Sequence, residues 1–388
     1  MDGRHLMELA RVVEGRTKLL VPKDSLVMRP PPTTPAFYNP EASVNRDVSV
    51  AIVRATTGES FCDAMAAVGP RGVRVAKESG RQVVVTMADI NQVSLSIARR
   101  NAKENRVLAR CTFRKAEAAS FLTSLGRADG RFDYVDVDPF GTPAHYIQPL
   151  LNAVSDGGVA SVTATDTAVL CGVHPGVCVR RYGAQPLNRE FNHETGLRIL
   201  INACRRVAGT LDLGIAPIAA HCTRHYIRAY FRVLVGATKA DDALKMEGYV
   251  VVCKRCGERR MSPHWAGTCD ACGSKAWCAG PLWTGDLCDP AMSRSAARSA
   301  ESLNFSEASR ILNSVPEANG LPPWGYSLDL VSSGLGVPTV PPSGVTRVLE
   351  GQGFRVSKQP YETTGFKTDA GMADVISAAK AATGRARG

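Results

Sequence analysis

Phe132-Asp133-Tyr134-Val135-Asp136-Val137-Asp138-Pro139-Phe140-Gly141-Thr142-Pro143 reads as a short buried strand, with Tyr134, Val135 and Val137 apolar, that stops at an Asp-Pro-Phe-Gly turn. In an open α/β sheet, ligands bind beyond the carboxyl ends of the strands. A carboxylate and an aromatic ring released there face a cleft. Proline lacks a backbone donor, so a neighbouring carbonyl is left free to accept from a ligand. Aspartate, free carbonyls and a flat ring suit a planar base that carries an amino group. Asp, Pro and Gly also favour ordinary turns, and these four residues alone weigh equally for either reading.

The strands on either side break the tie. Ser60-Phe61-Cys62-Asp63 ends an apolar run at an acid, and the small-residue loop 64–72 leads into a helix beginning near Val73. Small residues let the backbone approach a ligand, and a helix N-terminus offers free N–H groups. A second strand, 83–88, ends at Asp89, where two acceptor oxygens match vicinal ribose hydroxyls. Its helix has Val93, Ile97 and Leu108 on the apolar side. A third strand near Cys111 leads to Glu117-Ala118, which suits either an adenine amine or a helix cap. After a helix at 144–154, residues 157–166 read as a fifth strand ending in Thr163-Ala164-Thr165-Asp166. Strands separated by helix-length segments mean a parallel, doubly wound sheet. Acids at the ends of strands one, two and four, with Glu117 after the third, are the layout of a Rossmann-like methyltransferase that uses S-adenosylmethionine.

The flanking segments are plainer. Strands are expected at 19–21 and 25–28, then a helix whose first turn holds Asn45-Arg46-Asp47; Phe37-Tyr38-Asn39-Pro40 with an exposed arginine suits a lid or a packed N-terminal arm. A helix at 190–207 carries Arg189, Arg198, Arg205 and Arg206, and two strands at 214–220 and 226–235 flank Arg224, His225, Arg228 and Arg232. These are candidate phosphate contacts or solvated faces. Helices are expected at 302–312 and 343–352, and a frayed tail from Ala378.

The chain has 388 residues, 44% hydrophobic and 21% charged, enough for two folded domains. Its net charge of +11 favours a polyanionic partner, nucleic acid above all. No apolar run is long enough to span a membrane, and the N-terminus has no secretory layout, so the expected setting is cytoplasmic, with reduced thiols. Among twelve cysteines, Cys253-x2-Cys256 and Cys269-x2-Cys272 have the spacing of two zinc knuckles, whose four thiolates fill a tetrahedral structural site and leave no open position for catalysis. Lys254, Arg255, Arg259 and Arg260 beside it favour RNA contact. The other eight cysteines lack such spacing.

Assembled, these stretches resemble the tRNA (guanine(26)-N2)-dimethyltransferase family. The matching motifs are Phe37-Tyr38-Asn39-Pro40 with Asn45-Arg46-Asp47, residues 69–74, 136–143, 162–166, 170–175 and 280–285, and Thr364-Gly365-Phe366-Lys367-Thr368. The resemblance implies that Arg46 and Arg71 contact the methionine end of the cofactor, Asp89 the ribose, and Glu117 with Ala118 the adenine, with Asp63 also on the cofactor side. It implies Asp138 as the catalytic acid, supported by Pro139, and Phe37 and Phe140 as rings that stack on the target guanine. The family usually has Asp where this chain has Glu117. The expected organisation is a methyltransferase domain with N-terminal arm over 1–240 and a smaller α+β, tRNA-binding domain over 241–388, its zinc ribbon at 250–276, acting as a monomer. Two other readings are a DNA adenine amino-methyltransferase, which shares an acidic proline turn, and a non-catalytic RNA-binding protein with a vestigial fold. The Phe-Gly after Pro139 and the zinc module speak against the first, and intact Asp63, Asp89 and Asp138 against the second.

Overall fold

The computed structural model describes residues 7–125, 130–223, 226–329, 331, 342–362 and 365–385. The chain opens on an antiparallel hairpin, β1 (Leu9–Glu14) and β2 (Thr17–Pro22). The strand expected at 25–28 is instead a single helical turn, α1 (Asp24–Val27), closed by Met28 N–H donating to Asp24 O at 2.9 Å. Pro22 pairs opposite Leu9, Lys23 N–H still donates to Glu8 O at 2.9 Å, and the chain turns locally after that. Helix α2 (Ser43–Ala55) follows, with Asn45 and Arg46 in its first turn and Asp47, expected there too, just beyond it.

The central unit alternates strand and helix: β3 (Ser60–Asp63), α3 (Pro70–Glu78), β4 (Val84–Asp89), α4 (Gln92–Glu104), β5 (Cys111–Lys115), α5 (Ala118–Ser124), β6 (Phe132–Val137), α6 (Ile147–Ala153) and β7 (Val154–Ala164). Then come α7 (Thr167–Leu170), α8 (Pro175–Tyr182), α9 (Asn192–Gly209), β8 (Leu213–Thr223), β9 (Tyr226–Val235) and α10 (Ala237–Leu244). The seven strands lie in the order β5-β4-β3-β6-β7-β9-β8; β3 to β7 run parallel, while β9 is antiparallel to both β7 and β8. The order reverses between β3 and β6, so their carboxyl ends flank the topological switch point, where such sheets bind ligands. The sheet is therefore parallel over five strands and closed by an antiparallel pair.

Close packing explains the glycines before and within α3. Gly69 has φ of 77° and precedes Pro70, which takes the first helical position; a Cβ on Gly72 would lie 2.6 Å from Met87 Cγ. The helix thereby sits directly on β4. On α4 the buried row is Ser94, Leu95, Ile97, Ala98, Asn101 and Ala102, whereas Val93 is exposed and Leu108 lies beyond the helix. The 3.6-residue period runs through 94/95, 98 and 101/102, which leaves 93 on the wet side.

Beyond α10, β10 (Glu247–Cys253) pairs antiparallel with β11 (Arg259–Ser262) and β12 (Ala276–Trp283). Helices α11 (Pro290–Ser302) and α12 (Ser306–Glu317) place Ala296, Ala300, Phe305 and Leu312 in one core with Val48 and Ile52 of α2. A helix at Pro342–Gly351, the pair β13 (Val356–Lys358) and β14 (Phe366–Thr368), and a helix at Met372–Arg385 complete the described chain. The frayed tail expected from Ala378 is helical as far as Arg385, with Ala378 and Ala379 fully buried, since alanine both favours helix and allows close packing; residues 386–388 lie outside the described residues.

Several arginines expected on a wet face lie inside. Arg198 and Arg205 project from α9 toward the β10–β12 ribbon and pair with Glu194 and Glu247; Arg228 is fully buried; Arg259 pairs with Glu190. Lys367, from the terminal motif, is also buried and donates to both Glu194 oxygens at 2.6 Å. A charge buried between two elements must be neutralised there. Arg232 is partly buried and donates to Gly157 O, while Lys254 and Arg255 remain exposed. Arg224, His225 and Thr364 lie outside the described residues.

The N-terminal arm is fastened by one acid. Glu14 accepts from Arg46 Nε and Nη2 at 2.6 Å each, from Arg74 Nη1 at 2.7 Å and from the Tyr38 hydroxyl at 2.9 Å. Arg46 is therefore buried and held, and the packed-arm reading of residues 37–47 replaces the lid. Burial opposes the Glu14 charge, but Arg46 and Arg74 outweigh it and bring the carboxyl from 4.5 down to about 2. An acid lowered on folding stabilises above its ordinary value and loses that contribution as pH falls through the folded one. Glu14→Gln should lower unfolding free energy at pH 7 by ~3 kcal/mol, a gap that closes between about pH 4.5 and 2. Denaturant melts across that range check it, and a gap independent of pH would assign the loss to packing.

Candidate active site and metal centre

Asp138 is the first residue beyond β6, and its carboxylate keeps about a quarter of its surface (26%). It accepts from Arg71 Nη2. Arg71, from the first turn of α3, also donates to Asn45 Oδ1 at 2.7 Å and Ser49 Oγ at 2.6 Å, and its Nε lies 3.2 Å from Asp136 Oδ1. Asp136, fully buried in mid-strand, is held from the other side by Arg228 of β9 and by Ser161 Oγ at 2.6 Å. Arg228 further donates to Thr163, Ser161, Ser49 and the Tyr230 hydroxyl. Two guanidiniums thus face two carboxylates within the sheet.

A third acid, Asp63, ends β3 and accepts from Gly72 N–H at 3.1 Å. Burial pushes its carboxyl up to about 7; Arg71 opposes this, and Asp136 and Asp138 add to it. Burial also opposes the charge on Asp138, but Arg71 and then Arg228 overcome it and hold this carboxyl below the usual carboxylate range. The two acids at the switch point are thereby differentiated: Asp138 stays ionised, and Asp63 titrates near neutrality.

The other predicted residues gather around the same space. Asp89 accepts from Ala67 N–H at 2.7 Å and Asn91 N–H at 2.8 Å, which fixes the loop after β3 in a turn where Ala67 has φ of 47°. Glu117 caps α5, accepting from Ala119 N–H at 2.9 Å and Ser120 N–H at 2.7 Å, and these bonds lower its carboxyl. Phe37 and Phe140 meet edge to face, centroids 4.8 Å apart and planes at 82°, with Phe140 two-thirds exposed (66%). One cavity of about 900 Å³ is lined by Arg46, Asp63, Arg71, Asp89, Glu117, Ala118, Asp138, Pro139, Phe37 and Phe140, so every non-metal candidate borders it. A volume of that size accommodates a nucleoside cofactor and part of a second ligand.

The Asp-Pro-Phe-Gly turn is latched to the end of β7. Gly141 N–H donates to Thr165 Oγ1 at 2.6 Å, and Thr165 N–H donates back to Gly141 O at 2.9 Å. Gly141 takes φ of 75°, a left-handed turn that glycine adopts without strain. Thr142 Oγ1 donates to the Tyr182 hydroxyl at 2.9 Å, which donates to Asp166 at 2.7 Å. Asp136, Ser161, Glu14 and Tyr182 are not among the expected site residues, and Arg228, expected as a phosphate contact or a solvated charge, instead pairs with Asp136. A signal existed for the first: an acid between Val135 and Val137 in a buried strand requires an internal cation.

The four ribbon sulfurs converge within 4.8 Å of one another, with Cys253–Cys272 at 3.5 Å and Cys256–Cys269 at 3.7 Å. Those are edges of a tetrahedron about an ion bound at ~2.3 Å. Arg255 and Cys256 N–H groups donate to Cys253 Sγ at 3.3 Å each, which favours the thiolate. The residues fit a structural zinc.

A doubly wound sheet with acids at the ends of β3, β4 and β6 around one nucleoside-sized cavity defines a Rossmann-like, S-adenosylmethionine-dependent methyltransferase. The family model for N2,N2-dimethylguanosine tRNA methyltransferases matches residues 15–380, and the chain belongs to that family. It is 36% identical over 384 residues to the tRNA (guanine(26)-N(2))-dimethyltransferase of Methanosarcina acetivorans, covering 94% of this chain and 96% of that one. The enzyme of the same name from Methanopyrus kandleri is 35% identical over 372 residues, with 94% of each covered. The structure of Trm1 from Pyrococcus horikoshii with S-adenosyl-L-methionine superposes with a TM-score of 0.85 at 29% identity, covering 95% of this chain and 99% of that one. No helix among the described residues is long and apolar enough to cross a membrane.

The metal reading predicts close to one zinc per purified chain by elemental analysis. Cys256→Ser with Cys269→Ser should remove it and sensitise the 250–276 segment to proteolysis. Full metal content in that double variant would place the ion elsewhere.

Proposed function

We propose that this chain transfers methyl groups from S-adenosylmethionine to the exocyclic N2 amine of guanine 26 in tRNA, giving N2-methyl- and N2,N2-dimethylguanosine. The observation that carries it is Asp138, held by Arg71 beside Pro139 and an exposed Phe140, on the same cavity as Asp63, Asp89 and Glu117. In this reading Arg46 and Arg71 border the methionine end, Asp89 accepts from the ribose, Glu117 and Ala118 meet the adenine, and Asp63 sets the loop between them. The bound cofactor supplies an electrophilic methyl on a sulfonium.

The amine of guanine is a weak nucleophile because its lone pair is delocalised into the ring. Asp138 and the turn carbonyl at Pro139 accept its two N–H groups, which orients the lone pair toward the methyl, and the carboxylate then takes the released proton. Arg71 and Arg228 keep that carboxylate ionised before the step and fix its position. Alignment supplies most of the acceleration. A guanine stacked in folded tRNA must be flipped out to reach this depth, and the open face of Phe140, with Phe37 at its edge, receives the ring.

The division into a catalytic part over 1–240 and a tRNA-binding part over 241–388 belongs to this proposal, as do a monomeric state and a cytoplasmic setting. The net charge of +11 supports a polyanionic substrate. Asp138→Ala should abolish methyl transfer to a tRNA transcript, read by mass spectrometry of its nucleosides, while cofactor affinity by calorimetry stays within a few-fold. The fold tolerates the change, because Arg71 keeps Asp136, Asn45 and Ser49. An active Asp138→Ala enzyme would sink the assignment. Nucleosides from the wild-type reaction also count the methyl groups added.

A further inference from the structure

The cavity wall holds a buried, unpartnered polar group that none of the roles above uses. Tyr226 opens β9 and borders the cavity together with Asp138, Thr163 and Thr165, yet the residue is only 8% exposed and its hydroxyl has no hydrogen-bond partner among the described residues. Burying a hydroxyl without a partner is costly. A buried orphan donor on the wall of a ligand cavity is a group waiting for a ligand acceptor.

Its surroundings make it a fixed, neutral donor. The ring packs edge to face on His221, centroids 5.6 Å apart, and His221 in turn stacks on Tyr230 at 6.0 Å. Burial, then Arg228 and Arg71, push the His221 imidazole down to about 3, so it carries no charge that would compete. Burial above all raises the Tyr226 phenol, which stays protonated. Thr223, its cross-strand partner, lies nearby without the geometry of a hydrogen bond.

The sheet order sets the spacing. β9 is two strands from β6, about 10 Å across. That is the spacing of the strand backbones; the Asp138 and Tyr226 side chains both border the one cavity, so a planar base lying between them can meet both. With the N2 amine on Asp138, the acceptor at the other end of the guanine Watson–Crick edge is O6. We propose that Tyr226 is a specificity-determining residue that donates its hydroxyl to O6 of the flipped guanine. This rests on the reading of Asp138 as the group that holds N2. A site built to hydrogen-bond a substrate oxygen rejects analogues that lack it far more strongly than a merely apolar pocket does.

The test uses full-length enzyme and two tRNAs, one with guanine and one with 2-aminopurine at position 26. The analogue keeps the N2 amine and lacks O6. Single-turnover rates at saturating cofactor should favour guanine by tenfold or more in the wild type. Tyr226→Phe should slow guanine methylation about tenfold, leave 2-aminopurine within twofold of wild type, and leave cofactor affinity by calorimetry unchanged. Equal loss on both bases, no loss on either, or weakened cofactor binding would overturn the role. So would a wild-type enzyme that methylates both bases equally, an outcome that needs no variant to fold. Failure of the broader reading looks different: the wild type would then not methylate guanine 26 at all.

Discussion

The buried pairing of Asp136 with Arg71 and Arg228 is the constraint on which the site depends. Asp136 sits in the middle of the sheet with no exposed surface, where an unpaired carboxylate would be prohibitively expensive. Its two guanidinium partners come from α3 and β9, elements on opposite sides of β6 in the sheet order. Satisfying this one acid therefore ties the first half of the sheet to its antiparallel closure. It also leaves part of Arg71 to hold Asp138, the next acid along the chain on the same face. Structure and chemistry use the same arginine.

Much of this was legible in the sequence. Strand-end acids at 63, 89 and 138 lie where an open α/β sheet exposes them, and the cavity borders all three. The cysteine spacing likewise gave four sulfurs on one centre. These signals are local: a strand, its final residue, and a short turn. Partner choice was not legible. Arg228 and Arg198 look like surface charges in a basic chain; Glu194 lies one helical turn from Arg198, but only the tertiary packing buries that pair and turns Arg228 toward Asp136. Glu14, some thirty residues before the arginine it holds, has no local pattern at all. The alanine-rich tail misled for a related reason, since it resembles a frayed end until a neighbouring helix covers it.

The C-terminal part is bound to the catalytic sheet through motifs that carry no chemistry of their own. Glu194 on α9 collects Arg198 and Lys367, and Arg198 also donates to Trp283 O at 2.9 Å and Gly285 O at 2.8 Å. The Gly-Pro-Leu-Trp-Thr-Gly and Gly-Phe-Lys-Thr segments are thereby one buried joint. Such a joint fixes the ribbon and the later helices relative to the sheet, which the proposed reading requires if one base of a substrate as large as tRNA is to reach Asp138.

The central claim is that Arg71, with Arg228 behind it, holds Asp138 as an ionised, oriented acceptor. The most direct measurement is the pH dependence of single-turnover methyl transfer at saturating cofactor, compared between wild type and Arg71→Met. The acid limb of the profile should move to higher pH in the variant, because burial of Asp138 is then opposed only by Arg228, Thr163 and Arg46. A variant profile that is merely lower at every pH, with its acid limb where the wild type has it, would contradict the claim.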